Sequence, residues 1–422
     1  MFREVSSVLI SFLIIIVTPP AFSGDNNTSY TVPELVDLAL KRSELLTASE
    51  KSVESAKWSK EQAIAWQNPL ISFGAGNKSE SGKNGLAYDT GITQPFYFPG
   101  KQKLAGDIAA IQEKIASLDR NGTRLFVRYS VIRLAYQYAV ASELAKHLGE
   151  RVSRFKTIRK YLASRPFPSP KKRMEKHIVE MKLVLLMKSL DEIRSGKDII
   201  WARLNLFIDL QKPIAVRAPW FKTGETLEWE RLLAKAEKDN IDLKKQLLVL
   251  ERTRTETALA RKFAYPDFSL SVLYGEERTP EIQRFVGGGI TFSIPLLNAN
   301  RSGVKSLEAA VKAEKARAAY AKRETAQALI SSFIEYEIAR RNLERFPLAS
   351  LDDVHVRLAD ADDSFNKGLI DLVTYGEVES QVYDTHFALL GAQYEYVEKY
   401  AALLILQGSE DFAFSASLRK NP

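Results

Sequence analysis

The residues of this chain whose types could do chemistry are mainly carboxylates. Asp360, Asp362 and Asp363 stand close together, and clustered carboxylate oxygens can bind a divalent cation such as Ca²⁺. A calcium-binding loop also needs a glycine and a closing glutamate at fixed spacing, and both are absent from this segment. The spacing therefore favours an exposed acidic helix face over a calcium site.

Other metal-binding residue types are scarce. The chain has no cysteine, which excludes thiolate metal sites, disulfides and an acylated cysteine. The histidines have no second ligand at metal-binding spacing, and no nucleophile elbow, phosphate-binding loop or zinc-protease motif occurs. The sequence therefore predicts no enzyme, no metal site and no cofactor, and we interpret all four histidines as structural: His147, His177, His355 and His386.

Residues 1–23 have the pattern of a secretory signal peptide. Arg3 precedes an apolar run from Val8 to Val17, and small residues end the segment at Ser23. A transmembrane anchor is disfavoured, because the run is too short to span a bilayer. No later run is long enough for a membrane helix, so export predicts the periplasm, the outer membrane or the exterior. The net charge of +8 is spread along predicted helices, which argues against a nucleic-acid partner.

The rest of the chain repeats one order of elements, a feature typical of duplicated architectures. Each copy has two alternating strands, a proline and a long helix. Pro95 and Pro295 each stand five residues before Gly100 or Asn300, and we expect these four residues to form the strand-to-helix junctions. The first copy is predicted over residues 24–225, with strands at about 69–77 and 87–97, and the second over 226–422, with strands at about 266–275 and 284–294.

Each copy is also predicted to contain a long helical hairpin. No proline lies between Gly100 and Arg165 or between Lys171 and Lys212, so helices can run through both stretches. A single helix from residue 101 to 163 would be about 95 Å long, and its heptad apolar spacing indicates helices packed side by side. The hairpins are expected over about 101–210 and 301–408, the second interrupted at Pro347.

The predicted strands each have one apolar face and one face of small or polar residues. Their length of about ten residues suits a tilted membrane-spanning strand, and a soluble sheet with one dry face is the alternative. Four strands cannot close a membrane barrel, since the smallest barrels have about eight. We therefore expect three chains to share a twelve-stranded barrel, with these polar residues lining the lumen: Asp89, Thr93, Asp267, Ser269 and Thr291.

This pattern resembles the TolC-like outer-membrane efflux proteins, in particular the outer-membrane components of heavy-metal and multidrug resistance-nodulation-division (RND) pumps. The resemblance extends from Tyr30 to about Gly408, and it depends on the two strand openings, the two junctions and the segment from Phe346 to Gly368. It implies a mainly helical fold with membrane β-structure: a homotrimer whose twelve-stranded outer-membrane β-barrel continues into a long periplasmic α-helical barrel. It also implies a periplasmic adaptor (membrane fusion protein) and an inner-membrane RND-type transporter as partners.

The resemblance further implies a gate at the periplasmic tip, where acidic residues beyond a glycine ring the closed pore. By offset from Gly368 the candidates are Asp371, Thr374 and Glu377, with Lys172 and Glu175 as approximate counterparts in the first hairpin. The alternative is that they are ordinary helix-start residues that complement the helix dipole. The residues expected at the tip turns, in contact with the adaptor, are Pro166, Ser169, Pro170, Gly368 and Leu369; the prolines depart from the family's glycine-centred turn.

The expected function is that of a passive exit duct in the outer membrane, with most of the chain in the periplasm. Two alternatives stay open: a soluble periplasmic coiled-coil scaffold, and the exit duct of a type I protein secretion system. The scarcity of His and Met and the absence of Cys give no metal-handling signature, so the sequence does not indicate the transported substrate.

Overall fold

The computed structural model describes residues 29–80, 82–164, 169–221, 226–278, 281–345 and 349–413, without the side chains of 349–355. The predicted signal peptide, Pro166 and Pro347 lie outside the described residues. Within them the chain forms, in order, β1 (Ser29–Thr31), α1 (Val32–Arg42), α2 (Glu44–Ala63), β2 (Leu70–Glu80), β3 (Lys83–Phe96), α3 (Lys101–Ala163), α4 (Pro170–Ile208), β4 (Ala215–Arg217), α5 (Trp229–Asp239), α6 (Ile241–Lys262), β5 (Phe268–Arg278), β6 (Ile282–Phe292), α7 (Arg301–Arg345), α8 (Ala349–Asn366) and α9 (Leu372–Leu406).

The long helices follow from the proline spacing and the apolar repeat. α3 runs unbroken for 63 residues, and α4 returns along it. α3 contacts α4 and α9 along its half nearer the tip of the helical hairpin, and α2 and α6 along its half nearer the strands. None of the described helices is both long enough and apolar enough to cross a membrane.

Four strands form an antiparallel sheet in the order β2-β3-β5-β6. The neighbouring helices follow the same order, because α2 contacts α3, α3 contacts α6, and α6 contacts α7. Each strand leads into or out of one of these helices along the chain. The sheet therefore continues a wall of four helices, strand by helix.

The hydrophobic core lies where the two repeats meet, midway along the long helices. A layer of aromatic rings joins α3, α7 and α9: Tyr136, Phe221, Tyr336, Tyr396 and Tyr400. α1 packs against α3 and α4 in the same core, and the short parallel pair of β1 and β4 lies at the start of α1. A second cluster, which includes Phe155, Leu183 and Tyr375, holds α3, α4 and α9 together nearer the tip.

The strands extend further toward the β2–β3 and β5–β6 turns than the sequence predicts. β2 and β5 end at Glu80 and Arg278, beyond the expected ends near residues 77 and 275. The charged residues beyond those points pair across the sheet, as Lys78 does with Glu277 at 2.5 Å, and so continue the strands.

Candidate functional site

The two faces of the sheet differ in chemistry, as the alternation predicts. One face, here called the apolar face, carries large exposed side chains, among them Ile71 (78% exposed) and Val286 (77%). The register places them in common rows, because Ile71 is opposite Ile92, and Ile92 is opposite Val272. Other exposed apolar residues of this face are Phe73, Leu270, Ile290 and Phe292.

The opposite face, here called the glycine face, is built of glycines that stand beside larger residues. A Cβ atom at Gly74 would lie 2.5 Å from Asp89 Oδ1, and one at Gly289 would lie 2.8 Å from Ser271 Oγ. Gly275 lies in the same way under the Phe285 ring. Side chains crowd on the concave face of a curved sheet, so this glycine pattern suits a sheet that curves toward the glycine face.

The predicted lumen residues fall on the glycine face. Ser269 pairs with Thr291 in the register, and Asp89 and Thr93 alternate with the apolar residues of β3. Asp267 differs from the other four, because its Oδ1 atom accepts hydrogen bonds from the Phe98 backbone N–H at 2.6 Å and from Lys101 Nζ at 2.9 Å. Asp267 is therefore hydrogen-bonded to the junction of the first repeat.

Both junctions turn the chain with a residue in the left-handed backbone region. Gly100 has φ of 92° and Asn300 has φ of 55°, and the carbonyl of each accepts the first hydrogen bond of the following helix. Glycine and asparagine are the residues that adopt this conformation most readily. Pro95 lies inside β3, opposite Ser269, whereas Pro295 follows the end of β6.

The tip of the second hairpin turns at Gly368, which has φ of 73°. Asp371 is the N-cap of α9: its carboxylate accepts hydrogen bonds from the backbone N–H of Thr374 at 2.9 Å and from the Thr374 hydroxyl at 2.8 Å. These bonds lower the pKa of Asp371. The cap role matches the helix-start interpretation of this residue, while Glu377 and Leu369 are exposed.

The first hairpin presents basic residues at the same level. Ser169 is the N-cap of α4, with Pro170 as the first helical residue. Lys172 pairs with the buried Glu175 at 3.0 Å, so these two candidates neutralise each other. Lys171, which the sequence did not single out, approaches the Asp371 carboxylate at 3.7 Å.

A buried ionic cluster between the two hairpins escaped sequence reasoning. Glu379 of α9 is 1% exposed, and its Oε1 atom accepts from Arg151 Nε of α3 at 2.5 Å. Lys182 of α4 donates to the Gly376 carbonyl at 2.7 Å and lies 3.7 Å from Glu379. Burial lowers the pKa of Lys182. Both Arg151 and Lys182 also donate to the Ser380 hydroxyl.

Two of the histidines interpreted from the sequence as structural lie close together in the structure. His147 and His386 are not isolated, because their ring centroids lie 4.0 Å apart where α3 packs on α9, next to Arg151. They come from helices far apart in sequence, so spacing along the chain could not reveal the pair. No group of side chains in the described part of the chain has the composition of a metal site.

This fold, a helical wall continued by a four-stranded sheet with an exposed apolar face, is similar to the folds of solved outer-membrane channels. The structure is similar to CusC, described as forming a transmembrane channel, with a TM-score of 0.72 and 11% identity over 90% of this chain and 92% of that one. It is also similar to the CmeC outer membrane channel of Campylobacter jejuni (TM-score 0.69, 15% identity, 94% and 92%). The open-state MtrE outer membrane channel of Neisseria gonorrhoeae gives a TM-score of 0.72 at 13% identity (90% and 89%).

The sequence itself matches one family. Residues 232–409 match the outer membrane efflux protein family, a stretch that contains most of the second repeat. No curated protein sequence matches the chain significantly. The predicted resemblance to TolC-like outer-membrane efflux proteins is thereby confirmed, with the channel fold extending over both repeats.

Proposed function

We propose that the chain is the outer-membrane exit duct of a tripartite efflux system and acts as a homotrimer. The observation that carries this proposal is the four-stranded sheet, which combines an exposed apolar face with two open edges. β2 and β6 have no further strand beside them among the described residues. An open edge cannot lie in lipid, because its N–H and C=O groups would be unsatisfied.

Closure by further copies of the chain satisfies both edges at once. Three copies give twelve strands, and a barrel of that size has room for an aqueous lumen. The helical wall is also open at both edges. Its edge helices α2 and α7 each have a neighbour of the wall on one side only in the described structure. Pairing β6 with β2 and α7 with α2 of the next copy would close both layers with one rotation.

The apolar face has the dimensions of a membrane band. It begins near the helices with a row of aromatic rings, in which Phe268 lies 5.2 Å from Phe96. It ends near the β2–β3 and β5–β6 turns with Tyr88 and Tyr274. Tyr88 is opposite Glu276, eight residues after Phe268, so the two rows of rings are about 26 Å apart along the strands. A strand tilt near 40° reduces this to about 20 Å, close to the height of a membrane barrel's apolar band between its aromatic girdles.

The glycine face would line the duct. Its Ser, Thr and Asp side chains would offer water and solutes polar groups along the wall. In this proposal conduction is passive, and a pump supplies the energy. A periplasmic adaptor and an inner-membrane RND-type transporter are the partners that this role requires, with the outer membrane as the location.

The periplasmic end is proposed to be the gate. Each copy contributes Asp371, Thr374 and Glu377 near the tip, and three-fold symmetry would make each a ring that favours cations. Lys171 beside Asp371 would weaken that preference. Opening would require α8 and α9 to move relative to α3 and α4, which breaks the buried contact between Arg151 and Glu379.

The test is membrane extraction followed by conductance. We expect the protein to leave membranes only with detergent, to have the mass of a trimer, and to open small cation-favouring channels in planar bilayers. A cysteine pair placed in β2 and β6 should form disulfides between copies. A monomer that washes out as soluble protein would support the scaffold alternative.

A further inference from the structure

An ionic cluster lies on the apolar face of the sheet, at the end where the turns join β2 to β3 and β5 to β6, far from the long helices. Glu276 is its centre: its side chain is 4% exposed, and its carboxylate pairs with Arg278 at 2.7 Å and with Arg284 at 2.9 Å. Tyr274 donates to the same carboxylate at 3.3 Å, and the Arg278 guanidinium lies over the Tyr88 ring at 5.8 Å. We call these five residues the arginine cluster.

The register fixes the height of the arginine cluster. Glu276 is opposite both Tyr88 and Arg284, one row beyond Tyr274. Below it lie the exposed apolar rows of Val272 and Ile290. The face therefore changes from apolar to tyrosine to charge within a few residues of strand, in the order that a bilayer changes from hydrocarbon to headgroup.

The chemistry of the cluster favours an anion. Two guanidinium groups and one carboxylate leave a net charge of +1, and the carboxylate is buried beneath the two cations. The Arg278 and Arg284 side chains are 54% and 66% exposed, so an outside ligand meets the cations and not Glu276. Arginine forks match phosphate oxygens in geometry and charge, and Glu276 fixes both guanidinium groups before any ligand arrives.

We propose that the arginine cluster binds phosphate groups of an outer-leaflet lipid headgroup, such as those of a phosphorylated glycolipid. The inference rests on the proposed membrane location of the sheet. A lipid is favoured over a free anion because the cluster is continuous with the apolar face, where acyl chains would lie below the phosphates. It would anchor the duct at a fixed depth in the membrane.

The opposite face supplies a matched control. Lys78 lies in β2 on the glycine face, near the β2–β3 turn, and its ammonium group pairs with Glu277 at 2.5 Å. It is a charge-paired cation at a similar height, but it faces the proposed lumen. A change at Lys78 alters the charge of this level of the barrel without altering the lipid-facing surface.

The experiment is native mass spectrometry of the detergent-purified protein titrated with diphosphoryl lipid A. Detergent-dependent extraction and trimer mass are checked first for each protein, so failure of the proposed function is seen there, before any binding is measured. We expect Arg284→Gln to raise the lipid dissociation constant about tenfold, the loss of one charge-assisted contact. Lys78→Gln should leave binding unchanged, and Arg284→Lys should fall between wild type and Arg284→Gln.

Three results would overturn the assignment in an extracted trimer. The first is binding by Arg284→Gln as tight as by wild type. The second is equal binding of lipid A from which the phosphates have been removed, which would show that the acyl chains alone are recognised. The third is displacement of lipid A by millimolar inorganic phosphate, which would make the cluster a site for free anions.

Discussion

The two repeats carry the same elements but are fixed in different ways. At the first junction, Lys101 is 4% exposed and donates to Asp267 Oδ1 and to the Tyr265 carbonyl, both in the second repeat. At the second junction the matching residue, Arg301, is exposed. The first repeat therefore contributes a buried cation to the joint between repeats, whereas the second contributes the acceptors. The two repeats therefore share a backbone path at the junction but differ in the side chains that fix it.

The largest effect should follow from breaking the contact between repeats near the tip. In Glu379→Gln the buried Arg151 and the partly buried Lys182 lose their carboxylate, and breaking a buried ion pair from one side costs about 3–5 kcal/mol. We expect a lower melting temperature of the protein and, in the proposed channel, larger and longer openings in planar bilayers, because α9 is held less firmly to α3.

Glu377→Gln is the matched control for this change. Glu377 lies two residues earlier on the same helix and is exposed, so its replacement should change stability by less than about 0.5 kcal/mol. This control applies to stability only, because Glu377 belongs to the proposed gate and its replacement can change the openings by itself. Equal melting temperatures for the two variants would show that the buried cluster does not hold the two helical hairpins together.

A smaller effect is expected at the junctions, where the two repeats can be compared directly. Lys101→Met keeps most of the aliphatic stem but removes the charge-assisted bond to Asp267, at a cost of about 2 kcal/mol. Arg301→Met removes an exposed cation and should cost less than about 0.5 kcal/mol. Thermal unfolding of both variants measures the difference, and similar losses would contradict the asymmetry of the repeats.

The backbone turn at each junction gives the next comparison. Gly100 has space for a side chain, since an added Cβ would lie 3.7 Å from Lys262 Cε, so the cost of Gly100→Ala comes from its φ of 92°. We expect a loss of about 1 kcal/mol. Gly100→Asn, which installs the residue of the second repeat, should cost less. A larger loss for Asn than for Ala in thermal unfolding would contradict this.

The sequence predicts the elements because their signals are local. Proline spacing sets the bounds of α3, and strand alternation separates the apolar face from the glycine face within each strand. The contacts that join helices are not local: Arg151 and Glu379 lie 228 residues apart, and Lys101 and Asp267 lie 166 apart. Periodicity states which side of a helix is buried, but it does not state which partner helix lies there or at what height. The His147–His386 pair was missed for the same reason.

The smallest effect concerns the two return helices, which begin with different N-caps. Ser169 caps α4 with an uncharged hydroxyl, which accepts from the Lys172 N–H at 3.4 Å. Asp371 caps α9 with a carboxylate whose pKa is lowered by the backbone and hydroxyl donors of Thr374 and by Lys171. A group with a lowered pKa in the folded state stabilises it above its unfolded pKa, and that contribution is lost as the pH falls through the folded pKa.

The start of α9 should therefore fray in acid while the start of α4 does not. Amide hydrogen exchange at Thr374 should accelerate, relative to intrinsic exchange, as the pH falls below about 3.8, and exchange at Lys172 should show no such step. Asp371→Asn keeps a capping side chain without a titrating group, so the step at Thr374 should disappear in that variant. A step of the same size in Asp371→Asn would assign the acid sensitivity to another carboxylate, and the two caps would then differ in chemistry but not in pH response.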